Sequence, residues 1–176
     1  MKNINTESET IELSVVDPSM SLVEAVSKRR SVRGFLDKEV PQQVINRIFE
    51  ISQQSPSNCN VQPWKAYVAS GELKESLKKK MYENTTNRVS PNPDYSYTNN
   101  FENEYRTRQV ECAVALYSKM GIGREDKEGR MRAVLRNFKF FDAPHIAFIG
   151  MDPSFGTTVA VDVGMWAQTL MLTMVA

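Results

Sequence analysis

Residues 28–64 read KRRSVRGFLDKEVPQQVINRIFEISQQSPSNCNVQPW and contain two segments that decide how the whole chain is interpreted. The first segment, KRRSVRGF, places three arginines and a serine within five positions. Arginine presents a planar fork of donors that suits phosphate oxygens, so Arg29, Arg30, Ser31 and Arg33 form a candidate anion site. A basic run at a helix end also complements the helix dipole, and that interpretation stays open.

The second segment, SPSNCNVQPW at residues 55–64, is bracketed by prolines and rich in Ser and Asn. This composition predicts a shaped loop. Asn and Gln side chains both donate and accept hydrogen bonds, so they would match the edge of a flat heteroaromatic ring. An ordinary helix-to-strand connector that caps its own backbone would have the same composition, and both interpretations stay open.

Outward from these segments, helices dominate the pattern. Ser21-Leu22-Val23-Glu24 fits a capping box and predicts a short helix to about residue 30. Pro41 is expected at the first position of an amphipathic helix over 41–54. Residues 84–103 lack apolar periodicity and form a long loop of the kind that often acts as a lid. The remaining expected elements are helices at 71–83, about 105–120, 125–139 and 157–176, and strands at 65–70 and 146–150.

The composition is that of one globular domain, with 176 residues, 41% hydrophobic and 24% charged. The net charge is +1, whereas a nucleic-acid-binding protein usually has a strong basic excess. Two cysteines without CxxC spacing predict neither a disulfide framework nor a zinc site, and a reducing cytoplasm is the simplest compartment. The single histidine, His145, is interpreted as a strand-edge residue rather than part of a triad or metal site. No glycine spacing matches GxGxxG or GxxxxGK[ST], which argues against a P-loop or a standard dinucleotide-binding turn.

The sequence also leads to predictions about both ends of the chain. Residues 1–18 are predicted to be a polar N-terminal arm, followed by a single domain at 19–176. The apolar stretch 157–176 contains Asp162 and Gln168, so it is predicted to be a buried helix rather than a membrane span. It stops inside a helical pattern without a cap, which leads us to expect a shortened chain. Because two strands alone are marginal in water, further strands are expected from unrecognised segments, a partner chain or sequence beyond residue 176.

Taken in order, the motifs of this chain resemble those of the flavin-dependent nitroreductase family. They are Arg29-Arg30-Ser31-Val32-Arg33-Gly34-Phe35, Ser55-Pro56-Ser57-Asn58 with Gln62-Pro63-Trp64, Asn137-Phe138-x-Phe140-Phe141-x-Ala143-Pro144 and Asp162-Val163-Gly164-Met165-Trp166. The resemblance extends from about Ser21 to Ala176. The combination of these motifs in this order is specific to the family, whereas each motif alone is not. It implies an α+β, nitroreductase-like fold in which helices flank a central, mostly antiparallel sheet. It also implies a homodimer with two FMN sites at the subunit interface.

The resemblance further implies an oxidoreductase. Such proteins pass a hydride from NADH or NADPH to FMN and then reduce an electron-poor acceptor, a nitroaromatic or a quinone-like compound, in a ping-pong cycle. By position, Arg29, Arg30 and Ser31 would hold the FMN phosphate and ribityl chain, and Arg33 would lie near N1 and O2 of the ring. A guanidinium about 4 Å from a unit charge interacts by a few kcal/mol at a surface-like dielectric, so Arg33 would favour the reduced ring. Because the cofactor supplies the chemistry, no catalytic triad is needed.

The loop segment has an implied role of its own. Pro56, Ser57 and Asn58 would pack on the flavin of the other subunit, and Asn60 and Gln62 are further candidates for contacts with it. In the long loop, Tyr95, Tyr97 and Phe101 could cover the substrate side or could be plain packing groups.

Other functions stay open at this level. A reductive dehalogenase or a flavin-consuming enzyme on the same fold would share these motifs. A truncated, FMN-poor fragment that only binds or dimerises is a further alternative, because the family's chains continue past the equivalent of residue 176 with parts that contact the ring and the phosphate. A phosphate- or nucleic-acid-binding module built on the arginines conflicts with the near-zero net charge. We therefore expect neither a nucleic-acid partner nor a membrane.

Overall fold

The computed structural model of this chain describes residues 19–95 and 100–176. The helices in these ranges are α1 (Leu22–Lys28), α2 (Gln42–Ser52), α3 (Gly71–Thr86), α4 (Asn103–Lys119), α5 (Lys127–Leu135) and α6 (Ala160–Thr173), and the strands are β1 (Lys65–Ser70) and β2 (His145–Gly150). Short 3₁₀ segments occupy Asn58–Asn60 and Asn137–Asp142. The expected arm at 1–18 and Tyr97 lie outside the described residues, so the domain boundary at 18/19 stays a prediction. Of the helices just named, none has the length and apolar character needed to cross a bilayer.

The start of each of the first two helices is encoded locally. At α1, the Ser21 hydroxyl accepts the Glu24 N–H at 3.2 Å while the Glu24 carboxylate accepts the Ser21 N–H at 2.9 Å, which confirms the capping box. At α2, Pro41 is the N-cap residue with an extended ψ of 139°, and the helix begins at Gln42. The expectation that Pro41 is the first helical residue is therefore wrong by one position. The backbone N–H that proline lacks is not needed at either place.

The two strands form a two-stranded sheet. Ser70, the last residue of β1, contacts His145, the first residue of β2, with 2.5 Å between Oγ and Nδ1. At the other end, the Lys65 ammonium lies 3.5 Å from the carboxylate of Asp152, just beyond β2. These contacts show that the strands run antiparallel and place His145 at a strand edge, as predicted. Hydrogen bonds from Ser154 to Asp152 lower the pKa of that carboxyl below its ordinary value.

The described chain divides into two compact units, and the first contains residues 19–32, 38–68 and 147–176. Its buried cluster consists of Trp64, Trp166 and Leu170. The two indoles stack with centroids 5.9 Å apart and planes 13° apart, and Phe49 of α2 lies 5.9 Å from the Trp166 ring. Helices α1 and α2 both pack on α6. The apolar stripe of α2 that the sequence predicts is thus used to cover α6.

The second unit contains residues 33–37, 69–95 and 100–146. Here α3 and α5 pack on the 3₁₀ segment Asn137–Asp142. The ammonium of Lys74 donates to the Ala143 carbonyl at 3.2 Å, and the ammonium of Lys139 lies 4.8 Å above the Tyr82 ring. Lysine side chains therefore link α3 to the segment that follows α5.

Three sequence expectations are corrected. The helix expected over 125–139 ends at Leu135, because the backbone after it tightens into the 3₁₀ segment. The sequence predicts a buried β2, yet Phe148 and Ile149 are 41% and 40% exposed. Adjacent strand residues point to opposite faces, so the described residues cover neither face of β2 completely. The last helix begins at Ala160 rather than 157 and buries one face only, with Met165 on the exposed side.

The tryptophan cluster generates a stability prediction. Trp166 is fully buried, so Trp166→Ala should lower the free energy of unfolding by roughly 3–5 kcal/mol through lost burial and a cavity. Met165, its neighbour on α6, is 38% exposed, and Met165→Ala should cost less than about 1 kcal/mol. Urea unfolding followed by far-UV circular dichroism measures both values. Equal losses in the two variants would contradict a core centred on Trp166.

Candidate functional site

The arginine cluster lies at the C-terminal end of α1. Arg29 is the half-buried C-cap residue, and its N–H donates to the Ala25 carbonyl at 3.0 Å. The Nη1 of Arg30 donates to the carbonyls of Ser27 and, at 2.8 Å, of Arg29. Arg30 thus satisfies helix-end carbonyls, as the structural interpretation of the basic run predicts. Among the described residues, the hydrogen bonds of this side chain come from Nη1, and a guanidinium has further donors.

The donor chemistry at this helix end fits a phosphate. Within residues 19–95 and 100–176, neither Arg29 nor Arg30 forms an ion pair with a carboxylate. Ser31 follows directly in the sequence and is exposed. Charge-assisted hydrogen bonds from such a set are the strong kind for phosphate oxygens.

Arg33, the fourth member of the sequence cluster, belongs to the second unit and is exposed. The segment that follows α5 holds Phe35 and lies close to Gly34. The Phe35 N–H donates to the Phe141 carbonyl at 3.1 Å, and the Gly34 Cα lies beside the Arg136 guanidinium, where an added Cβ would be 3.6 Å from Nη2. The backbone two residues after Arg33 is therefore fixed by a hydrogen bond.

The loop between α2 and β1 has an unusual backbone. Cys59, Asn60 and Gln62 have φ values of 50°, 55° and 49°, in the left-handed region. Asn tolerates this conformation, whereas for Cys and Gln it costs roughly 1–3 kcal/mol and persists only when the surroundings enforce it. The predicted shaped loop is thus confirmed, and its shape is strained.

Hydrogen bonds enforce the shape of this loop. The Ser57 hydroxyl accepts the Gln62 N–H at 2.9 Å, which closes the turn across five residues. The Asp162 carboxylate, only 7% exposed in the first turn of α6, accepts the Asn58 N–H at 3.1 Å. These bonds use the Ser57 hydroxyl and backbone groups, so the side-chain amides of Asn60 and Gln62 stay exposed.

A second anchor fixes the end of the loop. The Trp64 indole N–H donates to the Gln53 side-chain carbonyl at 2.7 Å, and the Trp64 ring stacks on Trp166. Asp162 and Trp166 are four residues apart and therefore share a face of α6. The structure brings Pro56, Ser57, Asn58, Asn60 and Gln62 together in one rigid loop, with Pro56 and Asn58 exposed and Ser57 half-buried.

Asp162 helps to hold the loop, and this contribution was not predicted from the sequence. Its motif carries part of the family resemblance, but the sequence alone assigns it no role. The available signal is an acid in an otherwise apolar helical stretch, because a charge there must have a buried partner.

The second unit contains a groove of about 590 Å³ along α4 and the turn after it. It is lined by apolar side chains of α4, including Val110, Val114 and Tyr117, and by Arg124 and Arg130. None of the residues predicted from the sequence to bind a ligand lines this groove.

Comparison with known proteins places the chain in a family. A sequence model described as the nitroreductase family matches residues 26–176. The chain is 31% identical over 165 residues to nitroreductase NfnB of Mycolicibacterium smegmatis, covering 90% of this chain and 70% of the relative. It is 34% identical over 148 residues to 4-nitrobenzoate reductase of Pseudomonas putida, covering 84% of this chain and 65% of the relative. The chain thus spans about two thirds of the length of the curated relatives it matches.

Solved structures give the same relationship. The FMN and NADPH-dependent nitroreductase NfnB of Sphigopyxis sp. strain HMH superposes with a TM-score of 0.83 at 35% identity, covering 88% of this chain and 70% of that one. The FMN-dependent nitroreductase NfnB of Mycobacterium smegmatis, in complex with NADPH, gives a TM-score of 0.81 at 30% identity, covering 88% and 71%.

The buried Asp162 generates a prediction about the loop. Asp162→Ala leaves the Asn58 N–H without its acceptor and should lower the free energy of unfolding by about 1–3 kcal/mol. It should also speed hydrogen exchange at the Asn58 amide, which mass spectrometry of the loop peptide measures. Asp162→Asn keeps a carbonyl acceptor of the same shape and is the matched control. Alanine and asparagine variants with equal exchange would show that this contact does not hold the loop.

Proposed function

Because the chain belongs to the nitroreductase family, we propose that it binds FMN and passes a hydride from NADH or NADPH through the flavin to nitroaromatic or quinone-like acceptors. The observation that carries the proposal is the pair of segments with matching chemistry: the Arg29 and Arg30 guanidiniums at the end of α1 and a rigid loop that presents amides. Relatives named as FMN- and NADPH-dependent nitroreductases and as a 4-nitrobenzoate reductase support it.

Each residue has a defined task in this proposal. Arg29, Arg30 and Ser31 would hold the phosphate and the ribityl chain, and the half-burial of Arg29 would exclude part of the competing water. Arg33 would place a positive charge at the N1 and O2 edge and so favour the reduced ring. When bound, FMN supplies the two-electron hydride chemistry, and the protein groups orient and tune it.

The loop would act on the flavin ring of a second copy. Pro56 and Asn58 are exposed, and Ser57 is fixed by its bond to the Gln62 N–H, so the loop presents a preorganised surface. Asn60 and Gln62 add exposed amides that would match the polar edge of the ring. A rigid surface loses little conformational entropy on binding, which favours affinity.

The working form in this proposal is a homodimer. Large apolar side chains are exposed on both β2 and α6, including Phe148, Ile149, Val161 and Met171. A contiguous apolar surface is typical of one that another chain covers, and in this proposal these side chains belong to such a surface.

We also propose a cytoplasmic location. Cys59 and Cys112 are exposed free thiols, as expected for a protein of a reducing compartment. Cell fractionation tests this location, and recovery in an oxidising compartment would contradict it.

The absorbance spectrum of the purified chain, titrated with FMN, tests the proposed function. We expect saturable flavin binding, bleaching on addition of NADPH or NADH without oxygen, and recovery of the colour with 4-nitrobenzoate. Light scattering of the same sample should give twice the 20.0 kDa of one chain. Flavin that never binds, or that binds and is not bleached by either nucleotide, would overturn the proposal.

The phosphate role of Arg29 gives a further prediction. Arg29→Ala removes one charge-assisted contact worth roughly 1.5–3 kcal/mol, so FMN affinity should fall about tenfold to hundredfold. The control is Arg47→Ala, which removes an arginine from α2 whose ion pair with Glu50 is exposed. Quenching of flavin fluorescence measures both dissociation constants. Equal constants for the two variants would exclude Arg29 from the site.

A further inference from the structure

Three consecutive residues after α5 have left-handed backbone, and the proposed function does not explain them. Phe140, Phe141 and Asp142 have φ values of 54°, 52° and 66°. Phenylalanine gains nothing from this conformation, and a run of three such residues is rare because each one places its Cβ against its own carbonyl. Something in the surroundings must therefore hold this segment, which we call the left-handed turn.

Arg136 holds the left-handed turn through both its backbone and its side chain. Its carbonyl accepts the Phe141 N–H at 3.1 Å. Its guanidinium lies 6.0 Å from the centre of the Phe141 ring and 3.7 Å from the Asp142 carboxylate. The Arg136 and Asp142 side chains are 38% and 60% exposed, and an ion pair with that exposure contributes little stability. The ion pair instead serves to fix the positions of the two side chains.

The left-handed turn in turn fixes the residues that follow Arg33. The Phe141 carbonyl accepts the Phe35 N–H at 3.1 Å. The Arg136 guanidinium also lies against Gly34, where a Cβ would be 3.6 Å from Nη2. One side chain therefore contacts the turn and also lies close to the residue next to Arg33.

We propose that Arg136 is a positioning residue for Arg33: through Phe141 and Gly34 it fixes the backbone from which the Arg33 guanidinium reaches the flavin. This inference rests on the proposed function, because it assigns Arg136 a task only if Arg33 meets the ring. A charged group tunes a cofactor well when its own position is locked by the residues behind it. Loss of Arg136 should therefore weaken the effect of Arg33 on the flavin, although Arg33 itself is still present.

The reduction potential of bound FMN is the test, measured in the wild type, Arg33→Ala, Arg136→Ala and the double variant. Arg33→Ala should lower the preference for reduced over oxidised FMN about tenfold, which is roughly 30 mV for a two-electron couple. Arg136→Ala should lower that preference about threefold to tenfold. In the double variant the potential should equal that of Arg33→Ala, because a residue that acts only through Arg33 has no effect once Arg33 is gone.

Asp142→Asn separates positioning from simple electrostatics by the sign of its effect. The substitution removes a negative charge, so electrostatics alone would raise the potential. It also removes the partner of Arg136, so loosened positioning would lower the potential. Asparagine tolerates left-handed backbone, so the turn itself is kept. We expect a lower potential, and a higher one would overturn the proposal.

Two further variants complete the design. Arg136→Lys keeps the charge but loses the planar group that faces Phe141 and Gly34, so its potential should fall as in Arg136→Ala. It also serves if the alanine variant does not fold. Arg132→Ala removes an arginine one turn earlier on α5, 70% exposed and paired with Glu128, and should leave the potential unchanged.

The possible failures are distinguishable. FMN bound to Arg33→Ala at the wild-type potential would refute the role proposed for Arg33 and the inference with it. A normal effect of Arg33→Ala with no effect of Arg136→Ala would refute this inference alone. An equal shift from Arg136→Ala with and without Arg33 would also refute it, because the charge would then act on the flavin directly.

Discussion

The loop between α2 and β1 keeps its shape because α6 holds it twice. The buried carboxylate of Asp162 accepts the Asn58 N–H, and the ring of Trp166 stacks on Trp64. Because these two α6 residues are four apart, one helix face supplies both contacts. A buried carboxylate without a partner would be costly, so the contact fixes the loop and satisfies the helix residue together. The proposed ligand contacts at residues 56–62 all depend on this arrangement.

Elements with a local physical cause could be predicted from the sequence. The capping box of Ser21 and Glu24 and the strand Lys65–Ser70 lie where the sequence predicts them, since a reciprocal side-chain cap and a bounded apolar run leave little choice. The end of α5 could not be predicted. Apolar spacing through Phe138 continues the helical pattern, while contacts of the later segment with α3 decide where the helix stops. Tertiary contacts overrode the local pattern there.

The candidate site also has features that could be predicted from the sequence and features that could not. The arginine cluster and the Ser- and Asn-rich loop are visible as residue types, whereas the backbone conformations of Cys59 and Phe141 have no signal in the sequence. The two interpretations of the basic run also turn out to be compatible. Arg30 uses one nitrogen on the carbonyls at the end of α1, and a guanidinium has donors left for an anion.

Left-handed backbone lies at, or close to, the residues proposed to meet the flavin. In one unit it occupies Cys59, Asn60 and Gln62, and in the other it occupies the left-handed turn at 140–142. If these segments adopted their shape only when a ligand arrived, the strain would be subtracted from the free energy of binding. Contacts from Asp162 and Arg136 hold the shape before a ligand binds. The strain therefore lowers the stability of the fold and not the affinity for the ligand. In the proposed function, preorganisation of this kind would let residues that do not touch the ligand affect how strongly it is held and how readily it is reduced.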